Sequence, residues 1–345
     1  MNEVRKTGAM PVLGSILDFF IKPQLSIIMP YHNEGKEFIQ QTIDSIKETI
    51  DVSYEIIVID DFSDEPLEMD SVEVIRHKEN MGVGAAFDTG VRAARSGNIF
   101  LMGCDVRFVK NQWASKMVDD IKKHPDSLIC TSVISLWAHE PEVTFEMSRK
   151  LYKYNGATIL LQHGHKDTPD QPTNFRNIIN AQWLPREYLP LRRPGTVDRT
   201  DSYEVACILG AAYGTTKKWY KYLDGFWGHK KWGTLEPYIS LKCHLFGGKC
   251  LTAPHIETAH IFKATGTHGT GYEFIAYNKL LVSWLLFSIP DRDRLISYLR
   301  EYDYVKKAKD MIEDDMEVIL KKREEYRKKM KLTIADVVTK FNLRF

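Results

Sequence analysis

Residues 54–61, YEIIVIDD, form an almost continuous apolar run closed by two aspartates. A short β-branched run of this kind predicts a parallel strand buried on both faces, with its acids at the carboxyl end. Such a strand needs helices on each side of its sheet, which restricts the chain to an α/β layer architecture. The neighbouring segments repeat the alternation. LSIIM (25–29) is a β-rich run ended by Pro30, and KEFIQQTIDSIKETI behind it has helical spacing. VEVIRH and NIFLMG predict further strands, with the helix GAAFDTGVRAARSG between them; WASKMVDDIKKH predicts a helix and LICTSVISLW a strand. The expectation is a doubly wound, mostly parallel sheet flanked by helices, binding its ligand beyond the carboxyl ends of the strands. The polar stretches PYHNEG, DDFSDE and GCDVRF fall at three such ends.

Residues 150–200 are rich in Pro, Asn, His and Arg with little periodicity, and read as a long insertion or lid. VACILGAAYGTT returns to a strand and KKWYKYL to a helix; WGTLEPYISLKCHLFGG is a helix stopped by glycines, and KCLTAPHIETAHIF a pair of strands. From about 273 the chain turns helical and strongly charged, the pattern of solvated helices or of an oligomer contact. LLVSWLLFSIP (280–290) is too short to span a membrane and reads as a buried helix or a monotopic membrane contact. The apolar stretch near the N-terminus, interrupted by Asp18, is likewise too brief for a transmembrane segment and lacks a cleavage region. Five scattered cysteines with no Cys-x-x-Cys pair point to reduced thiols and a cytoplasmic protein. A net charge of +1 supplies no global field for nucleic acid.

The segments LSIIMPYHNEGKEFIQQTIDSI, EIIVIDDFSD, NMGVGAAFDTG and FLMGCDVRF resemble the nucleotide-binding half of GT-A glycosyltransferases of the family 2 type. WGTLEPYISLKCHLFGGKCLTAPHIETAHIFKAT looks like the Trp-Gly helix and His-x-Phe-Arg/Lys strand of polypeptide N-acetylgalactosaminyltransferases. The resemblance divides the chain into an N-terminal extension (1–23), a GT-A domain (24–275) and a helical C-terminal region (276–345). Within the domain lie a nucleotide-binding half (24–135), the insertion (150–200) and an acceptor and metal-completing half (201–275).

The implied activity is that of a hexosyltransferase-type enzyme moving a single sugar from a UDP-sugar to an acceptor hydroxyl. Pro30, Tyr31, His32 and Glu34 match the first nucleotide-contacting loop, with Tyr31 against the base and Glu34 on the ribose or orienting the loop. Asp60 suits the uracil N–H; Asp61 either assists with base or ribose or caps the turn. Gly82, with Asn80 and Met81, matches a further turn of such families. Where these families carry Asp-x-Asp, this chain has Gly103-Cys104-Asp105. The resemblance implies that Asp105 and the distant His260 hold Mn²⁺ (or Mg²⁺), a mixed oxygen and nitrogen set. The other reading has Arg107 neutralise the diphosphate without a metal.

Glu236 is the candidate base, displaced by one position from the glutamate of the Trp-Gly-Gly-Glu-Asn pattern; it deprotonates the acceptor, holds sugar hydroxyls or is a structural acid at a helix start. Trp232 either stacks on the sugar or serves only packing, and Lys263, His268 and Tyr272 belong to a glycine-rich loop that covers the diphosphate or merely connects. GVGAAF lacks the third glycine of a dinucleotide fingerprint. The arginines Arg176, Arg186, Arg192, Arg193 and Arg199 with Trp183 leave the acceptor open: a glycan or wall polymer, or a modified base in DNA. The rival from another class is an inactive GT-A-like nucleotide- or sugar-binding module.

Overall fold

The computed structural model of the chain describes residues 22–138, 142–161, 178–185, 201–262, 271–297, 299 and 301–343. β1 (Leu25–Tyr31), α1 (Lys36–Thr49), β2 (Tyr54–Asp60), β3 (Glu73–Arg76), α2 (Val83–Ala93) and β4 (Asn98–Met102) build a parallel half-sheet in the order β3-β2-β1-β4. β1 is interior, and Leu25 through Met29 have no exposed surface, as its unbroken apolar run requires. Pro30 is tolerated because the ladder to β4 ends at Ile28, before the missing N–H would be needed.

The sheet continues through β5 (Val106–Phe108), α3 (Trp113–Lys123), β6 (Ser127–Trp137), α4 (Phe145–Leu151), β7 (Lys153–Leu160), β8 (Asn180–Pro185), β9 (Tyr203–Glu204) and β10 (Ala212–Thr216). α5 (Lys217–Tyr222), α6 (Leu235–Leu245) and β11 (Lys249–Phe262) follow. The full order is β3-β2-β1-β4-β10-β6-β11-β5, and the sheet is mixed. β10 runs antiparallel to both neighbours, and β11 runs parallel to β6 but antiparallel to β5.

Three local expectations are revised. KCLTAPHIETAHIF is one long strand, with an irregularity between Ala253 and Glu257 that absorbs Pro254. A bulge accepts proline and resets which face later side chains occupy, and β11 therefore reaches His260 directly opposite Val106 of β5. Within 150–200 the described residues include the paired strands β7 and β8. Of VACILGAAYGTT, only Ala212–Thr216 is a strand.

The C-terminal helices are α7 (Tyr272–Leu286), α8 (Ile289–Ser297), α9 (Asp303–Asp314), α10 (Met316–Lys329) and α11 (Ile334–Phe341). α7 is the buried helix of the 280–290 reading, and α9 and α10 pack on it. Val305, Ala308, Ile312, Ile319 and Tyr326 form their buried stripe, so these charged helices are not merely solvated. The four larger of these side chains stabilise the packing by roughly 1.5–3 kcal/mol apiece. Arg323, also buried, donates to the Phe287 carbonyl at 2.6 Å and to that of Trp284, satisfying the open end of α7. All five cysteines are buried and free. Among the described residues no helix is long and apolar enough to cross a membrane.

Candidate active site

At the carboxyl ends of β1 and β2, two loops are laced together. Asn33, in the left-handed region at φ 62°, donates its N–H to Ser63 Oγ at 3.1 Å, and its side-chain carbonyl accepts the Asp64 N–H at 2.9 Å. They bound a cleft of about 570 Å³ lined by Tyr31, Asn33, Lys36, Asp64, Pro66 and Leu67. Tyr31 is thus where a base-contacting side chain was expected. Glu34 turns back to accept the His32 N–H at 2.5 Å, the loop-orienting alternative.

Asp60 and Asp61, both expected at the nucleotide, are not among the residues lining this cleft and are engaged by protein donors. Asp60 has no exposed surface and accepts the N–H groups of Ser63 at 2.9 Å and Leu67 at 3.1 Å, together with the Arg76 guanidinium. Burial acts to raise its pKa, but these donors win and hold it below the usual carboxylate value. Asp61 accepts from His77 Nδ1 at 2.7 Å, the Met81 N–H at 2.8 Å and the Gly82 N–H at 2.7 Å. It fixes the 80–82 turn, which is the capping alternative. Strand-end position made both acids candidates; only the tertiary structure shows their donors.

Gly82, at φ 94°, is required because a Cβ there would overlap the Lys231 backbone. The 80–82 turn is thereby joined to the Trp-Gly loop. Lys231 Nζ donates to Asn80 Oδ1 at 3.0 Å, Asn80 Nδ2 donates to His32 Nε2 at 3.1 Å, and His32 Nδ1–H donates to the Asp61 carbonyl at 3.0 Å. This chain of bonds makes His32 a link between the two halves and assigns it the Nδ1–H tautomer.

Asp105 and His260, far apart in sequence, meet here. The Asp105 carbonyl accepts the Ile261 N–H at 2.9 Å, and Asp105 Oδ2 lies 3.5 Å from His260 Nε2. A Cβ at position 103 would overlap Asp105 Oδ1, so Gly103 clears the space that the carboxylate occupies. Among the described residues no third acid, histidine or cysteine joins them. A carboxylate oxygen and an imidazole nitrogen this close, both partly accessible, fit a single divalent ion whose remaining positions come from ligand or water.

Arg107, the alternative group for neutralising the diphosphate, is turned into the fold and already occupied by protein acceptors. Its guanidinium is buried against α1, donating to the Phe38 carbonyl at 2.9 Å, to Thr42 Oγ1, to Gln41 Oε1 at 3.3 Å and to the Cys104 carbonyl at 3.2 Å. Burial lowers its pKa from the ordinary guanidinium value.

Glu236 stands in the first turn of α6, its carboxyl end turned in against Gly210, and burial raises its pKa. The Ala211 carbonyl next to Gly210 accepts the Gly103 N–H at 3.0 Å, so Glu236 and Asp105 flank one backbone crossing. Trp232 is 42% exposed on a loop held by α7: Asn278 Nδ2 donates to the carbonyls of Lys230 at 2.8 Å, Gly233 at 3.2 Å and Trp232 at 3.3 Å. Tyr272 pairs with the Tyr304 ring at 5.7 Å. Lys263 and His268 lie outside the described residues, as do the five arginines of the insertion. The scaffold residues Asn278 and Lys279 were missed; their only signal is a polar pair leading into the apolar run after it.

Residues 26–170, less than half of the chain, match the family model for glycosyl transferase family 2. Polypeptide N-acetylgalactosaminyltransferase 10 of Rattus norvegicus is 24% identical over 254 residues, covering 70% of this chain and 38% of the relative. Polypeptide N-acetylgalactosaminyltransferase 14 of Homo sapiens is 22% identical over 250 residues, covering 70% and 41%. The chain thus spans about two fifths of the length of these curated relatives. The crystal structure of GalNAc-T7 with UDP, GalNAc and Mn²⁺ superposes with a TM-score of 0.58 at 18% identity, over 83% of this chain and 54% of that one. The chain has the GT-A fold of that structure, its residues 26–170 carry the glycosyl transferase family 2 pattern, and its sequence is similar to the polypeptide N-acetylgalactosaminyltransferases.

Proposed function

We propose that the chain transfers a single sugar from a UDP-sugar to a glycan hydroxyl, with Mn²⁺ bound between Asp105 and His260. The carrying observation is the 3.5 Å approach of His260 Nε2 to Asp105 Oδ2, made by pairing β5 with β11. Bound there, the ion would neutralise charge on the leaving diphosphate. The neighbour solved with UDP, GalNAc and Mn²⁺ supports this choice of ligands. The cleft beside Tyr31 takes the base, the Asn33–Asp64 lacing keeps its two walls in register, and Trp232 offers an exposed indole to the sugar. Glu236, whose carboxyl burial holds above the usual carboxylate range, is the acid offered to exchange a proton with the acceptor hydroxyl. A net charge of +1 gives the chain no global field for a nucleic-acid polyanion, so the glycan reading is preferred.

The test is UDP release from a panel of UDP-sugars, with Mn²⁺ or with chelator, comparing the native protein with His260→Ala. Turnover should require the metal and fall at least about 100-fold in the variant. Turnover that survives both treatments sinks the split metal site. UDP binding without turnover on any donor, in metal-loaded protein, establishes the non-catalytic module instead.

A further inference from the structure

His260 is unusual for a metal ligand in one respect. Its second ring nitrogen, Nδ1, is buried and has no hydrogen-bond partner among the described residues. Ligating histidines are normally oriented through that nitrogen. Here the ring is oriented by packing: Phe262 lies 4.2 Å away between centroids, and Trp183 meets it edge-on at 5.9 Å and 85°. Trp183 belongs to β8, which among the described residues pairs only with β7 and sits off the main strand order. Something else must fix β8.

The entry to β8 is Ile178-Ile179, and Ile179 has φ 48°. A β-branched residue is strained in the left-handed region and stays there only when its surroundings hold it. Lys279 of α7 does so. Its side chain is 3% exposed, and its ammonium donates to the Ile178 carbonyl and to the Ile179 carbonyl at 3.3 Å. No carboxylate among the described residues faces it, and burial pushes its pKa down to about 7. A lysine buried without a counter-ion is costly, and its only evident use is this backbone clamp. The adjacent Asn278 clamps the Trp232 loop, so two consecutive residues of one buried helix fix two walls of the site.

We infer that Lys279 is a positioning residue for the metal site, locking β8 so that Trp183 holds the His260 imidazole with Nε2 toward Asp105. The metal half of this inference rests on the function proposed above; the ring-positioning half does not. The experiment therefore has two readouts on Lys279→Met and Trp183→Leu. The first is the His260 Cε1–H resonance in metal-free protein, which the Trp183 ring current displaces. The second is Mn²⁺ affinity by titration calorimetry in the presence of UDP.

Lys279→Met should move the His260 resonance and weaken Mn²⁺ about tenfold, within the range for groups that orient a ligand. Trp183→Leu should do the same, and adding Lys279→Met to it should change little further, because both act through one contact. A folded Lys279→Met protein that keeps the native His260 resonance overturns the inference, as does full additivity of the two changes. A displaced resonance in a protein whose native form binds no Mn²⁺ upholds the positioning role and removes the metal reading instead. Lys279→Gln, which loses the charge but keeps a donor, carries the same test if methionine at 279 does not fold.

Discussion

Asp60 and Asp61 close β2 with no more than 3% of either residue exposed, whereas Asp105, just past β4, keeps 29% of its side chain open beside His260. All three are acids at strand carboxyl ends, the place where an α/β sheet offers ligands a site. They differ in how many protein donors each already has. The first two accept three apiece from backbone and side chains, and so organise the loops on which a nucleotide would lie. Asp105 faces a histidine across 3.5 Å, an arrangement suited to a cation. Strand-end placement therefore nominates an acid, and the supply of donors divides scaffold from chemistry.

The sharpest way to break this contrast is Asp60→Ala. It would strand two buried N–H groups and the Arg76 guanidinium, costing about 3–5 kcal/mol in urea denaturation. A loss below about 1 kcal/mol, with UDP affinity abolished, would return Asp60 to the ligand.

Acid should act on the scaffold next. His229 donates Nε2–H to the Gly233 carbonyl at 2.5 Å and His244 to the Ala206 carbonyl at 3.0 Å, and burial lowers both pKa values to about 4. Unfolded histidine titrates near 6.5, so between pH 6.5 and 4 the unfolded chain binds more protons and stability falls as pH falls. Asp88, raised by burial to about 6, works the other way as it takes up a proton. The net loss from pH 7 to pH 5 should be about 2 kcal/mol, measured by the denaturation midpoint. A flat profile would mean that the two imidazoles are not held neutral.

Arg107→Met sharpens the contrast from another side. Removing its bonds to α1 should cost about 1–3 kcal/mol while the KM for the sugar donor stays unchanged. A raised donor KM at unaltered stability would restore a phosphate role. The smallest effect on folding belongs to Asp105→Ala, about 0.5 kcal/mol or less, with Mn²⁺ binding lost. Should that change destabilise the protein as much as Asp60→Ala, the two classes of acid would not be distinct.

The parallel half of the fold was legible because its strands are unbroken apolar runs and its helices carry periodic stripes. β1, β2 and α1 fall where LSIIM, YEIIVIDD and KEFIQQTIDSIKETI predict them. The C-terminal stripe was obscured because charges dominate α9 and α10, and Arg323 is buried although arginine rarely is. β11 is one strand where the sequence predicts a pair, because the irregularity between Ala253 and Glu257 that accommodates Pro254 has no local signal. Asp105 and His260 were paired through family resemblance; nothing in their separation of 155 positions brings them together on its own.

The sequence by itself determined the layer architecture and the strand ends at which acids gather, because each depends on residues near in the chain. Only the tertiary structure decided which acids are already committed, which way Arg107 points, and that Asn278 and Lys279 of α7 brace two walls of the site. The physical reason is that a side chain's role follows from the donors, acceptors and burial around it, and those neighbours come from other elements of the fold.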